Sequence, residues 1–393
     1  MRKSGVTSRG IIMPIFKEGD NLVQIVSDNI IEASKEEGFS LNDGDIVGLT
    51  ESVLGRVQGN YATCQQIAGD IKSKILTDTL GVVFPILSRN RFAILLKAIS
   101  MSAKNIVVQL SYPSDEVGNK LFDPKLLKGK YINPYTDCLT EDQFRELFGY
   151  NTKHPFTGID YVEYYKSINN NISIIFSNDP TSILNYASDV LVCDIHTRFD
   201  TKETIESKDP FANVLCLDNI LTSSFDGSGY NEKYGLYGSN RATEDKVKLF
   251  PRDCNTFVNS LQEELLKKTG KHMEVLVYGD GAFKDPVGGI WELADPVVSP
   301  GFTKGLIGTP NEIKLKYFAD NDLANLSGNE LIEAMKEKIR EKDSNLVATN
   351  ASLGTTPRQI TDLVGSLCDL TSGSGDRGTP VVLIQGYFTN FAS

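Results

Sequence analysis

Apolar positions along the 393-residue chain follow two rhythms. In residues 20–38, "DNLVQIVSDNIIEASKEEG", Leu22, Val26 and Ile30 recur at every fourth position, which predicts an amphipathic helix opening after Asp20 and closing at Gly38. Elsewhere short apolar runs bounded by polar residues or glycine predict strands: 46–49 within "DGDIVGLTES", then "VVFPIL", "NIVVQL", "NISIIFS", "VLVCD", "NVLCLD", "EVLVYGD" and "PVVLIQGY". Three helix starts carry a capping-box pattern, Thr140 with Gln143, Ser327 with Glu330, and Thr356 with Gln359, the last with Pro357 at the first helical position. Strands interleaved with helices predict a mixed α/β (α+β) architecture but leave the sheet order open. No internal repeat is visible.

Residues 221–240, rich in Gly, Ser, Asn and Tyr, predict a long loop, followed by a charged helical segment to Lys268. At roughly 100–200 residues per domain the chain has room for two or three cores. The layout predicts a first domain over 1–224, an insertion or second domain over 225–350, and a C-terminal helix and strand over 351–393 that rejoin the first domain.

Composition narrows the function classes. Hydrophobic residues make up 40% and charged residues 23%, the balance of a globular chain. A net charge of −11, with no long Lys/Arg block against it, argues against nucleic acid and anionic membrane as partners. The apolar stretch near the N-terminus is broken at Pro14, and no run approaches the ~18 apolar residues of a membrane span. These features predict a cytoplasmic protein. Its six cysteines are scattered without a C-x-x-C pair, and with three histidines any metal would be held mostly by oxygen, which suits magnesium or manganese.

Several stretches place chemistry at strand ends. "VLVCDIHTRFD" delivers Asp194, His196 and Arg198 to the carboxyl edge of a predicted strand, where α/β proteins bind ligands. Asp160 and Glu163 precede "NISIIFS"; if the adjoining strands are neighbours, Asp160 and Asp194 can reach one cation pair. Read without that context, each is equally a turn acid with a surface partner. "GLTESVLGRVQGN" offers a loop with Thr50, Glu51, Ser52 and Arg56, able to approach phosphate, although it is neither a P-loop nor a dinucleotide fingerprint. "TSGSGDRGTP" surrounds Ser374, Asp376 and Arg377 with Gly373, Gly375 and Gly378. "VLVYGDGAFKD" puts Asp280 at another strand end, with Asp285 after it. Arg241, Lys246, Lys248 and Arg252 read either as an anion site or, preferably, as a charged solvated helix face.

In order along the chain these stretches resemble the coenzyme F420-0:L-glutamate ligase (F420 gamma-glutamyl ligase) family, as a divergent long member. "IIMPIFKEGDNL" is similar to its Ile-Pro strand and K-x-G-D-x-L segment, and "TESVLGRVQG" to its T-S-K-x-x-S-K-x-x-G loop. Gly158-Ile159-Asp160 resembles its G-[IV]-D, residues 194–198 its strand-ending D-T-x-G-R, and residues 373–386 its Gly-rich turn before P-V-V-[LIV]-[LIV]-R-G. Departures are Ser52 at the first loop lysine, Ile195 in place of threonine, Ser374 where Gln or Glu is expected, and no clear counterpart for 225–350.

The resemblance implies a homodimeric ligase that uses GTP and Mn2+ or Mg2+ to activate a carboxylate acceptor as an acyl phosphate, which the amine of L-glutamate then attacks. The implied catalytic residues are Asp160, Asp194 and Arg198. Metal would fall to Asp160, Asp194, the Ile195 carbonyl and Ser374. The nucleotide side would be Pro14, Ile15, Thr50, Glu51, Arg56, Glu163, Gly373, Ser374, Gly375 and Asp376. F420-0 or a folate could be the acceptor, with 225–350 as a lid; a non-catalytic nucleotide- and metal-binding relative is the alternative.

Overall fold

The computed structural model describes residues 4–150, 152–285, 287, 289–291, 294–352, 358–372 and 375–393. The chain opens with β1 (Thr7–Ile11) and α1 (Leu22–Glu36), where Asn21 caps the helix by accepting the Gln24 N–H and Leu22, Val26 and Ile30 are buried. β2 (Ile46–Thr50) runs directly into α2 (Glu51–Val57), and β3 (Tyr61–Thr63) into α3 (Cys64–Lys72). Next come β4 (Thr79–Val83), α4 (Phe92–Ser100), β5 (Asn105–Leu110), β6 (Leu139–Thr140), α5 (Glu141–Phe148) and α6 (Tyr161–Lys166). They are followed by β7 (Ile172–Phe176), β8 (Asp189–Val192), α7 (Arg198–Lys208), β9 (Asn213–Cys216), β10 (Asn240–Arg241) and β11 (Lys246–Lys248). The chain ends with α8 (Cys254–Thr269), β12 (Glu274–Tyr278), β13 (Gly301–Phe302), α9 (Leu315–Asp320), α10 (Gly328–Arg340), α11 (Ile360–Ser372) and β14 (Val381–Gln385).

The strands form three sheets, so the expected mixed α/β class is what the chain adopts. The first has the order β1-β14-β2-β12-β13, with β2 and β12 parallel and the other pairs antiparallel. Its strands are apolar on both faces because both are covered: Val26 of α1 and Val258 of α8 pack with Val47 and Val275, while Val364 and Cys368 of α11 pack with Ile46 and Leu276. The second sheet is the antiparallel ribbon β10-β11-β3. The third, β6-β7-β5-β4-β8-β9, is parallel except for its β6 edge, and the direction of winding reverses between β4 and β8.

Residues 225–350 do not stand apart from the N-terminal strands. β11 pairs with β3 and β12 with β2, so this stretch supplies strands to two sheets that the first 63 residues begin. The inserted unit lies earlier, over 64–245: the chain leaves β3 at Cys64 and returns at β11, and the Cys64 N–H donates to the Asp245 carbonyl at 2.9 Å. Parallel pairing of β2 with β12 requires a crossover, and the third sheet sits within it. Among the described residues of this stretch, α9 and α10 form a satellite around Phe318, Leu323 and Met335.

Thr140 and Gln143 make the expected capping box. Ser327 stands at the start of α10 without a side-chain cap bond, and Thr356 and Pro357 lie outside the described residues. Arg241, Lys246 and Lys248 fall on the β10–β11 ribbon, not on a helix face. Among the described residues no helix is long and apolar enough to cross a membrane.

Candidate active site

Parallel pairing puts Tyr278 of β12 opposite Thr50 of β2, so the residues that follow both strands emerge side by side. β14 runs antiparallel to β2 with Val381 opposite Leu49, which brings the turn before β14 to the same edge, and the Thr50 N–H donates to the Pro380 carbonyl at 3.0 Å. A cleft of about 690 Å³ opens there. Thr50, Glu51 and Ser52 line it after β2, Asp280 and Phe283 after β12, and Asp369, Ser372, Gly375 and Gly378 between α11 and β14. The inserted unit contributes Arg91, the residue preceding α4.

Charge in this cleft is unbalanced. The Arg91 guanidinium bridges Asp280 and Asp295, each at 2.8 Å. Asp295 also accepts the Asp280 N–H at 2.7 Å, and Asp369 accepts the Gly281 N–H at 2.8 Å. Gly279 makes this possible: a Cβ there would lie 2.2 Å from Asp295 Oδ2. Glu51 is buried, with Oε1 3.4 Å from the Lys248 ammonium and Oε2 without a hydrogen-bond partner. Burial pushes its carboxyl up to about 7, against the pull of Lys248. Asp280 is pushed up to about 8, first by burial and then by Asp295, with Arg91 opposing. Burial raises Asp369 as well. Among the described residues, the carboxyl groups of Glu51, Asp280, Asp295 and Asp369 thus gather around the cations of Arg91 and Lys248.

Donors of this kind suit a hard divalent cation, and the bare Glu51 Oε2 is an oxygen in want of one. Among the described residues no three His, Cys, Asp or Glu side chains converge tightly enough to cage a metal alone. Glu51, Asp280 and Asp369 line one cleft, and a cation bound there would have to take its remaining ligands from substrate phosphate, the usual habit of Mg2+.

The structure does not bring Asp160 and Asp194 together. In the third sheet β5 and β4 stand between β7 and β8, so the strand next to Asp160 and the one ending at Asp194 are three spacings, about 14 Å, apart. Asp160 instead caps α6, accepting the Val162 and Glu163 N–H groups at 3.0 and 3.1 Å, and pairs with Arg145 at 3.1 Å. Glu163 holds the same arginine at 2.8 Å. Asp194 receives the hydroxyls of Thr197 and Thr201 at 2.6 and 2.8 Å, its Oδ1 has no partner, and burial raises its carboxyl to about 6. Arg198 is bound to Asp218 at 2.8 Å and donates to the Ile195 carbonyl, so the oxygen expected to meet a metal meets a guanidinium.

Thr50, Glu51 and Gly375 line the cleft. Exposed Pro14 and Ile15 lie next to its C-terminal turn, where the Met13 N–H donates to the Gly378 carbonyl at 3.0 Å. Arg56 faces away and ties down the Phe16 carbonyl at 2.7 Å. Asp376 is exposed on the turn; Gly373 and Ser374 lie outside the described residues. Arg91, Asp295 and Asp369 carried no motif, whereas Asp280 was visible as a strand-end acid flanked by two glycines.

The family model described as F420-0:Gamma-glutamyl ligase matches residues 10–386. The chain belongs to that family. No curated protein matches it. As an F420-0:gamma-glutamyl ligase family member it carries the family's fold and a ligase lineage. Unlike Asp194, Asp280 stands beside the Thr50 loop. The inserted unit over 64–245 is where this ligase family member places one wall of its cleft, through Arg91.

Proposed function

We propose that the protein forms a γ-glutamyl amide bond on a carboxylate acceptor of the F420-0 type, using GTP and a divalent metal, in the cleft at the carboxyl ends of β2 and β12. The observation that carries this reading is the cluster of Glu51, Asp280 and Asp369 around a cleft whose carboxyls are held above their usual range. A bound Mg2+ or Mn2+ would supply charge neutralisation for a phosphoryl group in transfer. Glu51, Asp280 and Asp369 would hold it, and Arg91 fixes the direction of Asp280.

The reaction divides into two steps. The acceptor carboxylate attacks the terminal phosphorus of GTP, giving an acyl phosphate and GDP. The glutamate amine then attacks the acyl carbon, and phosphate leaves with the bonding pair. The amine sheds a proton as the amide bond forms, and the departing phosphate can carry it away. Water would destroy the acyl phosphate, so the walls formed by Phe283, Tyr278 and Leu370 serve to exclude it.

Calorimetric titration with GTP and GDP, each with and without Mn2+, tests the first half; phosphate release with glutamate plus a deazaflavin or folate acceptor tests the second. Metal-dependent GTP binding and glutamate-dependent release are expected. Asp280→Asn should weaken metal-dependent GTP binding at least tenfold while leaving the melting transition within a few degrees. Unchanged binding in that variant would remove Asp280 from the site, and no GTP binding by the parent protein would end the proposal.

A further inference from the structure

We infer that Lys248 and Ser52 form an oxyanion subsite on the floor of the cleft that receives a phosphoryl group of the polyphosphate substrate. The inference rests on the ligase reading and deepens it. The resemblance puts a lysine at position 52, and this chain has serine there. The missing ammonium arrives from another strand: Lys248, at the end of β11, has its Nζ 2.5 Å from Ser52 Oγ.

Local packing is built around this route. Lys248 is buried, with 8% of its side chain exposed, and its stem passes over Gly55 of α2. A Cβ at Gly55 would meet the Leu249 carbonyl at 3.0 Å and Lys248 Cδ at 3.7 Å, so the absence of a side chain lets β11 close onto α2. The resembled loop pattern has serine there, where this chain has glycine. The geometry links the three positions: a short residue at 52 and a bare one at 55 leave room for Lys248 to reach the Ser52 hydroxyl.

The ammonium is not used up by the protein. It has three N–H donors. One meets Ser52 Oγ, and Glu51 Oε1 at 3.4 Å is far from the ~2.8 Å of a full charge-assisted bond. The third has no acceptor among the described residues. Glu51, in turn, keeps Oε2 unpartnered and buried. Arg91, which lines the cleft, is committed to Asp280 and Asp295, whereas Lys248, directly behind the lining residues Ser52 and Glu51, has a donor left for an incoming anion. Ser52, which lines the cleft and is exposed, can turn its hydroxyl to the same oxygen.

The test measures binding of inorganic tripolyphosphate and of GTP with Mn2+, by calorimetry, to the full chain and to three variants, each checked by thermal melting. Lys248→Met should weaken both ligands at least tenfold. Ser52→Lys combined with Lys248→Met, which returns the cation to position 52, should recover most of that loss. Ser52→Glu, at an exposed position that spares the core, should abolish tripolyphosphate binding and decides the matter if Lys248→Met does not fold. Parent-like affinity in Lys248→Met or in Ser52→Glu, or a loss that the relocated lysine does not recover, would reduce Lys248 to a structural partner of Glu51. Tripolyphosphate binding that depends on Lys248, without glutamate-dependent phosphate release, would uphold the subsite and overturn the ligase reading; no binding of either ligand to the parent would overturn both.

Discussion

Asp160 and Asp194 are both strand-edge acids, yet they do different physical work. Asp160 satisfies two N–H groups of α6 and one buried guanidinium, so Asp160→Ala should lose a cap and weaken an ion pair together, about 2–3 kcal/mol in a denaturant titration. Metal and GTP affinity should not change. Asp194 has an unpartnered oxygen in the core, and burial holds its carboxyl near 6, above the ordinary 3.8. Between those two values the folded chain keeps a proton that the unfolded chain has released, so stability falls as pH rises through that window. Asp194→Asn removes this titration. A plot of melting temperature against pH should be flatter between about 4 and 6 in the variant, and an identical slope would show that Asp194 ionises freely in the fold.

At the scale of elements, the edge shared by β2, β12 and β14 makes the cleft, and its tightest point is the turn after β12. Gly279→Ala should push the Asp295 carboxylate away from the backbone and loosen Arg91 from both acids. A cost of about 1–3 kcal/mol and a clear loss of metal-dependent GTP binding are expected, read by melting and calorimetry. The individual strands were legible because each apolar run is short and bounded, and the helix over 22–36 because its buried face repeats every fourth residue. Which strands lie side by side was not. β2 finds β12 after more than 200 intervening residues, and nothing in "VLVYGDG" or "VLVCDIH" says which is next to "IVGLT". Asp194 and Asp280 look alike as letters; only neighbouring strands separate them. Arg91 had no signal at all, since its function depends on an insertion folding back against a sheet to which it does not belong.

For the molecule as a whole, the expected boundary at 224 gave way to an insertion over 64–245 whose two ends meet on a paired ribbon. The α9–α10 satellite is different in kind, with its own small core; the chain reaches it after β13, which runs from the cleft end of β12 toward the Glu274 end. Replacing 312–350 by a short Gly/Ser linker should leave GTP affinity within about twofold and the main melting transition in place; loss of binding would mean that the satellite supports the cleft.

The separation of β2 from β12 also sets an order of events on the ribosome. Residues 46–49 are apolar on both faces, and their parallel partner is not made until position 278, 228 residues after Thr50. At roughly 5–20 residues per second that is a wait of about 10–45 s. The third sheet, complete by Cys216, can form in that interval while the first still lacks two of its central strands. A nascent chain of this protein therefore carries an unpaired hydrophobic strand beside a finished domain, which makes the first half of the gene the segment most dependent on chaperones.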